Sequence, residues 1–305
     1  MKRTNIQTLP EHPLEMWAQM PNFKVDAILG ADFHLREDLP VCRTDNFEAA
    51  QWRKLDEIKV LQKKHNCPVY HAGDLFQHWK PSPSLLSKTI QHLPAEFYTV
   101  YGNHDLPQHN MELLEKSGVF TLYVAGKINI LPKGHFGEVP QHSITIKGKR
   151  VGICHIMTYK GNLPFPGCKS PLAAALLNRH KDIDMLLTGD NHQSFTQIYD
   201  GRLLVNPGSL TRHKADQVNH RPAVYLWNAE TNTALPHYLG IENNVISREH
   251  IEVQEQRDKR IDAFISGLTA DWSGTLNFKD NLKIFFAENN TSENLQNIIM
   301  NAIKE

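Results

Sequence analysis

Short apolar runs alternate with helical spacing through the first hundred residues. Residues 25–31 (VDAILGA) form an apolar run, as expected for a strand covered on both faces. Phe47, Ala50, Gln51, Lys54, Leu55, Ile58 and Leu61 then follow helical spacing, with Thr44 or Asp45 available as the cap. Residues 68–72 read as a second strand. Ser82-Pro83 opens a helix with a capping residue and proline in its first turn, and 96–101 (EFYTVY) reads as a third strand. The middle of the chain turns β-rich. Residues 142–147 and 150–156 flank Gly148-Lys149 as a hairpin, and strands are predicted near 183–188, 195–198, 203–205 and 223–228. The early alternation implies an α/β sheet, and the later strands a second sheet packed on it.

The two ends differ from this pattern. Residues 1–22 carry three prolines and read as an irregular arm. Beyond about 240, residues 245–253 read as a strand, 255–268 as a helix, 282–287 as a strand and 292–304 as an amphipathic helix carrying Leu295, Ile298, Ile299 and Ile303. The expected organisation is an arm (1–22), a main α/β domain (23–240) and a small α+β domain (241–305).

Composition narrows the function classes. Thirty-three basic and 33 acidic residues give a formal net charge of zero, so the whole-chain field gives no support for coating nucleic acid. It does not exclude nucleic acid, because bound cations can carry the positive charge at a phosphate site. Four scattered cysteines without a CxxC pair suit reduced thiols and a cytoplasmic location. The N-terminus lacks the apolar core of a secretory signal, and no apolar run reaches the ~20 residues of a membrane span.

The 17 histidines direct attention to where they sit. Five segments place Asp, His or Asn where an apolar strand ends: Asp32-Phe33-His34, Gly73-Asp74, Gly102-Asn103-His104-Asp105, His155 and Gly189-Asp190-Asn191-His192. Ligands of α/β sheets gather at the carboxyl ends of strands. Side chains two apart on an extended segment point the same way, so Asp32 with His34, and Asp190 with His192, are each expected to grip one metal. Any one segment alone reads as a polar turn or a core histidine. The ordered set of five is what points to chemistry.

That order, DxH, GD, GNHD, H and GxxH, resembles the calcineurin-like metallophosphoesterase family over about residues 25–210. The resemblance implies a four-layer α-β-β-α sandwich, two sheets flanked by helices, with a dinuclear metal centre. It assigns Asp32, His34 and His192 to the first metal, Asp74 as the bridge, and Asn103, His155 and Asp190 to the second. His104 becomes the acid at the leaving group, oriented by Asp105. Two ions ~3.5–4 Å apart clamp a phosphoryl group while an activated water attacks phosphorus in line. The family's last motif is usually GHxH, and here Asp190 replaces an imidazole. An oxygen ligand suits harder ions. The expected cofactors are therefore two divalent ions, Mn2+ before Mg2+, Fe2+ or Zn2+.

Gly73-Asp74-Leu75-Phe76 followed by Lys80-Pro81-Ser82, and Asn206-Pro207-Gly208-Ser209-Leu210-Thr211-Arg212, are similar to segments of SbcD-type DNA repair nucleases. This implies Asn206, Ser209 and Arg212 at a substrate phosphate. Gln77 stands where such nucleases usually carry a histidine; either His78 compensates at the substrate or that function is reduced. The resemblance further implies DNA as substrate, an exonuclease or endonuclease activity in repair or recombination, an SbcC-type ATPase partner and a homodimer. A phosphatase or cyclic-nucleotide phosphodiesterase is the alternative on this fold, and a non-catalytic scaffold such as the phosphoesterase-like subunit of retromer the remote one.

Overall fold

The computed structural model describes residues 23–270 and 278–303. The expected N-terminal arm lies outside them. The chain divides into two compact units, Met1–Ser247 and Arg248–Glu305. The boundary falls later than 240 because Thr44 donates to the Val245 carbonyl (3.1 Å) and Ser247 to that of Cys42 (2.7 Å), tying 245–247 into the first unit.

The first unit contains two sheets. One runs β11-β10-β1-β2-β3-β4, built from β1 (Ala27–Gly30), β2 (Val69–His71), β3 (Phe97–Thr99), β4 (Asn129–Ile130), β10 (Ala223–Asn228) and β11 (Thr233–Tyr238). The other runs β5-β6-β7-β9-β8, from β5 (His142–Ile146), β6 (Lys149–Cys154), β7 (Met185–Thr188), β8 (Phe195–Tyr199) and β9 (Arg202–Asn206). Strand β10 returns to the first sheet and does not join the second: its apolar run pairs antiparallel with β1, Trp227 opposite Ala27.

Alternation along the strands sorts side chains into layers. Ala27, Leu29, Tyr70, Val151, Ile153, Leu187, Val205 and Trp227 form the core between the sheets. The opposite face of the first sheet offers Ile28, Val69, Phe97 and Leu226. Against it pack Trp52, Leu55, Ile58 and Leu61 of α1 (Phe47–His65), Leu85 of α2 (Pro83–His92), and Val119 and Leu122 of α3 (Gly118–Val124). The outer face of the second sheet, with Leu186 and Leu204, is covered by Leu176 and Leu177 of α4 (Ala173–Arg179). These are the α-β-β-α layers. Helix α2 is capped by Ser82 as expected. Helix α1 is capped by Asn46, whose side chain accepts from Ala49 N–H at 3.0 Å. Asp45 is instead engaged by the Arg43 guanidinium at 2.7 Å.

The second unit is helical among the described residues: α5 (Glu249–Ala270), α6 (Phe278–Glu288) and α7 (Glu293–Ala302). The strands expected at 245–253 and 282–287 are not found, since helices run from Glu249 and over Phe278–Glu288, so the described residues of this unit are α where α+β was expected. Leu282, Phe285 and Phe286 recur at three and four residues, a helical stripe that a short apolar run conceals. Only Ile246, bridged to Arg43, keeps the extended form expected before residue 249. No described helix is long and apolar enough to cross a membrane. The cysteines are free.

Leu187 is fully buried between the sheets. Leu187→Ala is expected to cost ~2–5 kcal/mol, read as a lower urea midpoint of the sheet-bearing unit. An unchanged midpoint contradicts the two-sheet core.

Candidate metal centre

The ladder between β1 and β2 outlives the strands. Asp32 N–H donates to the Gly73 carbonyl (3.1 Å), His34 to Asp74 (3.0 Å) and Leu35 to Leu75 (2.9 Å). The backbone is not extended there. Asp32, His34, Asp74 and Asp190 have φ of 53°, 45°, 58° and 70°, in the left-handed region. Asp32 and His34 thus meet through a turned backbone, and the strand alternation expected from the sequence is not the cause. Such residues cost of order ~1–3 kcal/mol each and persist where surrounding contacts fix them.

The five segments converge. Nε2 of His34 lies 3.1 Å from Nε2 of His192, 3.6 Å from Asp74 Oδ2 and 4.0 Å from Asp32 Oδ1. On the other side of Asp74, Nε2 of His155 lies 2.9 Å from Asn103 Oδ1, 3.4 Å from Asp74 Oδ2 and 4.0 Å from Asp190 Oδ1. Asp74 therefore stands between two donor groups. The His155 Nδ1–H donates to the Ala72 carbonyl at 2.7 Å, which turns Nε2 toward the cluster. One residue was missed: a ring nitrogen of His213 joins those of His34 and His192, all within 4.8 Å of one another. The only signal in the sequence was its position directly after Arg212.

Asp105 has a different role from the one expected. Its buried carboxylate accepts from the amides of Gly102 (3.0 Å), Asp74 (2.9 Å), Leu75 (3.3 Å) and Phe76 (3.1 Å). It fastens the GNHD loop to the GDLF loop and does not orient His104. That ring is held by the Gln77 carbonyl, 2.8 Å from Nδ1, while the His104 amide donates to Asp74 Oδ1 at 2.9 Å. The loops meet so closely that a Cβ on Gly102 would lie 2.0 Å from Asp74 Oδ1.

The expected substrate-binding side chains are placed within the scaffold of the site. Asn206 is fully buried and donates to the carbonyls of Asn191 (2.6 Å) and Gln193 (2.7 Å). The Ser209 hydroxyl, also fully buried, bonds the Thr211 carbonyl (2.9 Å) and accepts from Gln217 (2.8 Å). Arg212 donates to the carbonyls of Val218 (3.3 Å) and Glu242. These side chains brace the loop around His192; buried polar groups must be satisfied, and these are satisfied within the chain. His78 is exposed, its ring beside Trp79, and the structure does not bring it to the cluster.

The donor set suits divalent cations. Burial lowers the imidazoles of His34, His192 (to about 4) and His213 (to about 3), keeping them neutral, the form that ligates. Burial raises Asp32 to about 8. Burial disfavours charge on His155 too, but the Asp74 carboxylate outweighs it and lifts the ring to about 10, and His155 in turn holds Asp74 below its ordinary value against burial. The cluster thus retains protons to balance its carboxylates, a charge that cations would replace. Asp32 Oδ2, Asp74 Oδ2 and His34 Nδ1 are buried without hydrogen-bond partners.

Asp105→Asn turns an amide donor toward backbone donors. It is expected to destabilise the fold by ~1–3 kcal/mol and to shrink the rise in Tm on adding Mn2+. In the unmodified protein that rise reflects ~2.7 kcal/mol at about a hundred times Kd. A full Mn2+ response in the variant contradicts the role given to Asp105.

Among solved structures, an archaeal phosphodiesterase aligns at 16% identity, covering 70% of this chain and 99% of that one, with a TM-score of 0.42. A conserved Streptococcus pneumoniae TIGR4 protein, described as a predicted phosphoesterase, aligns at 13% identity over 66% of this chain and 80% of its own (TM-score 0.34). Zinc-bound Vps29 from Entamoeba histolytica aligns at 15% identity over 70% and 97% (TM-score 0.35). The sequence itself matches the model of the calcineurin-like phosphoesterase superfamily domain over residues 28–225. That span contains every segment of the cluster described above, and the chain belongs to the calcineurin-like phosphoesterase superfamily.

Proposed function

We propose that the chain is a metal-dependent phosphodiesterase that cleaves DNA, a nuclease of SbcD type. The observation that carries this reading is a cavity of about 860 Å3 beginning at Asp190 and His192. It is far larger than a phosphate requires and within the range of pockets that enclose whole organic ligands. Its walls include Lys214 and Arg221, both exposed, with Phe165 and Tyr238. The Arg221 guanidinium lies 4.1 Å over the Tyr238 ring. Cations for a backbone and flat faces for bases are what a strand of nucleotides needs beside its scissile phosphate. Asp190 and Asp216 line the same cavity, so these two cations offset its carboxylates, and bound metal ions would supply the remaining attraction for a phosphate.

Asp32, His34, Asp74 and His192 would hold one cation, and Asp74, Asn103, His155 and Asp190 the other. Bound there, the pair supplies electrostatic stabilisation of a phosphoryl group during in-line displacement. The chain's own contribution to proton transfer is His104. A carbonyl only accepts, so the bond to Gln77 keeps the proton on Nδ1 and leaves Nε2 as the working nitrogen. As imidazolium, Nε2–H protonates the departing oxygen. On the same reading an SbcC-type ATPase engages the C-terminal helices, where Leu295 and Ile298 are exposed, and the protein works as a homodimer in the cytoplasm.

With Mn2+, the protein is expected to cleave linear or single-stranded DNA as well as bis-p-nitrophenyl phosphate. His104→Ala lowers kcat by ~10²–10⁴ with metal content retained. The double variant Lys214→Ala, Arg221→Ala raises KM for DNA and leaves the small diester untouched. Cleavage of the small diester with no DNA species cut contradicts the nuclease reading. Full activity of His104→Ala contradicts its role as acid.

A further inference from the structure

His213 stands one residue past the Asn206–Arg212 segment, and the ligand pattern read from the family does not use it. Its ring centroid is 5.1 Å from that of His34 and 5.1 Å from that of His192, and those two are 4.9 Å apart. One nitrogen from each of the three rings falls within a common 4.8 Å. The loop that carries it is fixed at several points. Ser209 N–H donates to the His192 carbonyl (3.2 Å), Leu210 N–H to that of Asp32 (3.1 Å), and His213 N–H to Gln217 Oε1 (2.8 Å). Arg43 donates to the Arg212 carbonyl at 2.7 Å. The ring is thus held against two candidate ligands by backbone ties to those ligands' own loops. Its Nδ1 is buried with no hydrogen-bond partner, so no protein group holds that nitrogen.

We propose that His213 is a third imidazole ligand of the site formed by His34 and His192, making the two metal positions chemically unequal. On one side of Asp74 stand three imidazoles, His34, His192 and His213, with Asp32. On the other stand the oxygens of Asn103 and Asp190 with a single imidazole, His155. Imidazole-rich sites favour zinc, iron or cobalt, whereas carboxylate and amide oxygens favour manganese or magnesium. His213 also restores the imidazole that Asp190 removes from the centre as a whole, but on the other ion. The centre is therefore built for a mixed pair, a borderline ion at the histidine side and a hard ion at the Asp190 side. The inference rests on metal binding and not on DNA being the substrate.

The test is metal binding by the full chain, independent of turnover. Metal-free protein is titrated calorimetrically with Zn2+ and Mn2+, alone and together, for the unmodified chain, His213→Ala and His213→Asp. The expected result is one tight Zn2+ and one Mn2+ per unmodified chain when both are present. His213→Ala weakens Zn2+ by at least about tenfold, the least that losing even an outer partner of a ligand costs, and leaves the Mn2+ isotherm in place. His213→Asp, which keeps a ligating atom, recovers part of the loss. Zinc-edge X-ray absorption of the unmodified protein carrying one equivalent is a readout that no folding defect of a variant can mask. Three imidazole scatterers are expected. Two scatterers, or equal Zn2+ affinity in His213→Ala, overturns the proposal; absence of any divalent binding by the unmodified chain overturns the metal-dependent reading beneath it.

Discussion

The Asp105 carboxylate is the constraint on which the site depends. It is buried and accepts from four backbone amides, one on its own loop and three on the loop that carries Asp74. Strands β2 and β3 run parallel, which brings the two loops side by side, and this carboxylate gathers three amides of one loop and one of the other. With it in place, Asp74 faces both donor groups, the His104 amide reaches Asp74, and Asn103 reaches His155. Burial and the neighbouring Asp74 push Asp105 up to about 7 despite the amide donors. The tie between the loops is therefore sensitive to the charge around it, and cations at Asp74 would strengthen it by favouring the ionised form.

The rest of the architecture serves to gather negative and neutral donors in a dry place and hold them there. Four candidate ligands sit in left-handed backbone, which a freely relaxing chain would leave. The ladder between the Asp32 and Asp74 loops prevents that, and so does the bond from the Asp190 amide to Asp32 Oδ1 at 3.0 Å. On the far side, Asn206 binds two carbonyls of the 191–193 loop, and Gly208 lets that loop approach: a Cβ there would lie 2.8 Å from the His192 carbonyl. Residues that resemble substrate contacts are thus the braces of ligands. Function is concentrated in a few side chains because many others are committed to backbone groups.

Much of this was legible in the sequence for a physical reason. Metal ligation demands particular atom types, so Asp32, His34, Asp74, Asn103, His155, Asp190 and His192 stand out as residues wherever strands end. Strands β1, β7 and β10 are short apolar runs because both of their faces are covered. What could not be read is what depends on backbone placement. Asp105 looks like a partner for the adjacent imidazole because its amide donors leave no trace in side-chain identity. Ser209 and Arg212 look available for a phosphate because a sequence does not show which hydroxyl or guanidinium is already satisfied. His213 reaches the cluster through the path of a loop. In the C-terminal unit, short apolar runs carried too few residues to separate a period of two from one of 3.6.

The central claim is that Asp74 lies between two metal positions on a scaffold fixed by Asp105. Anomalous diffraction from crystals soaked in Zn2+ and Mn2+ together tests it most directly. The account predicts two peaks ~3.5–4 Å apart, one beside His34 and His192 and one beside His155 and Asp190, sharing the Asp74 carboxylate. A single peak, or peaks that do not touch Asp74, would contradict it.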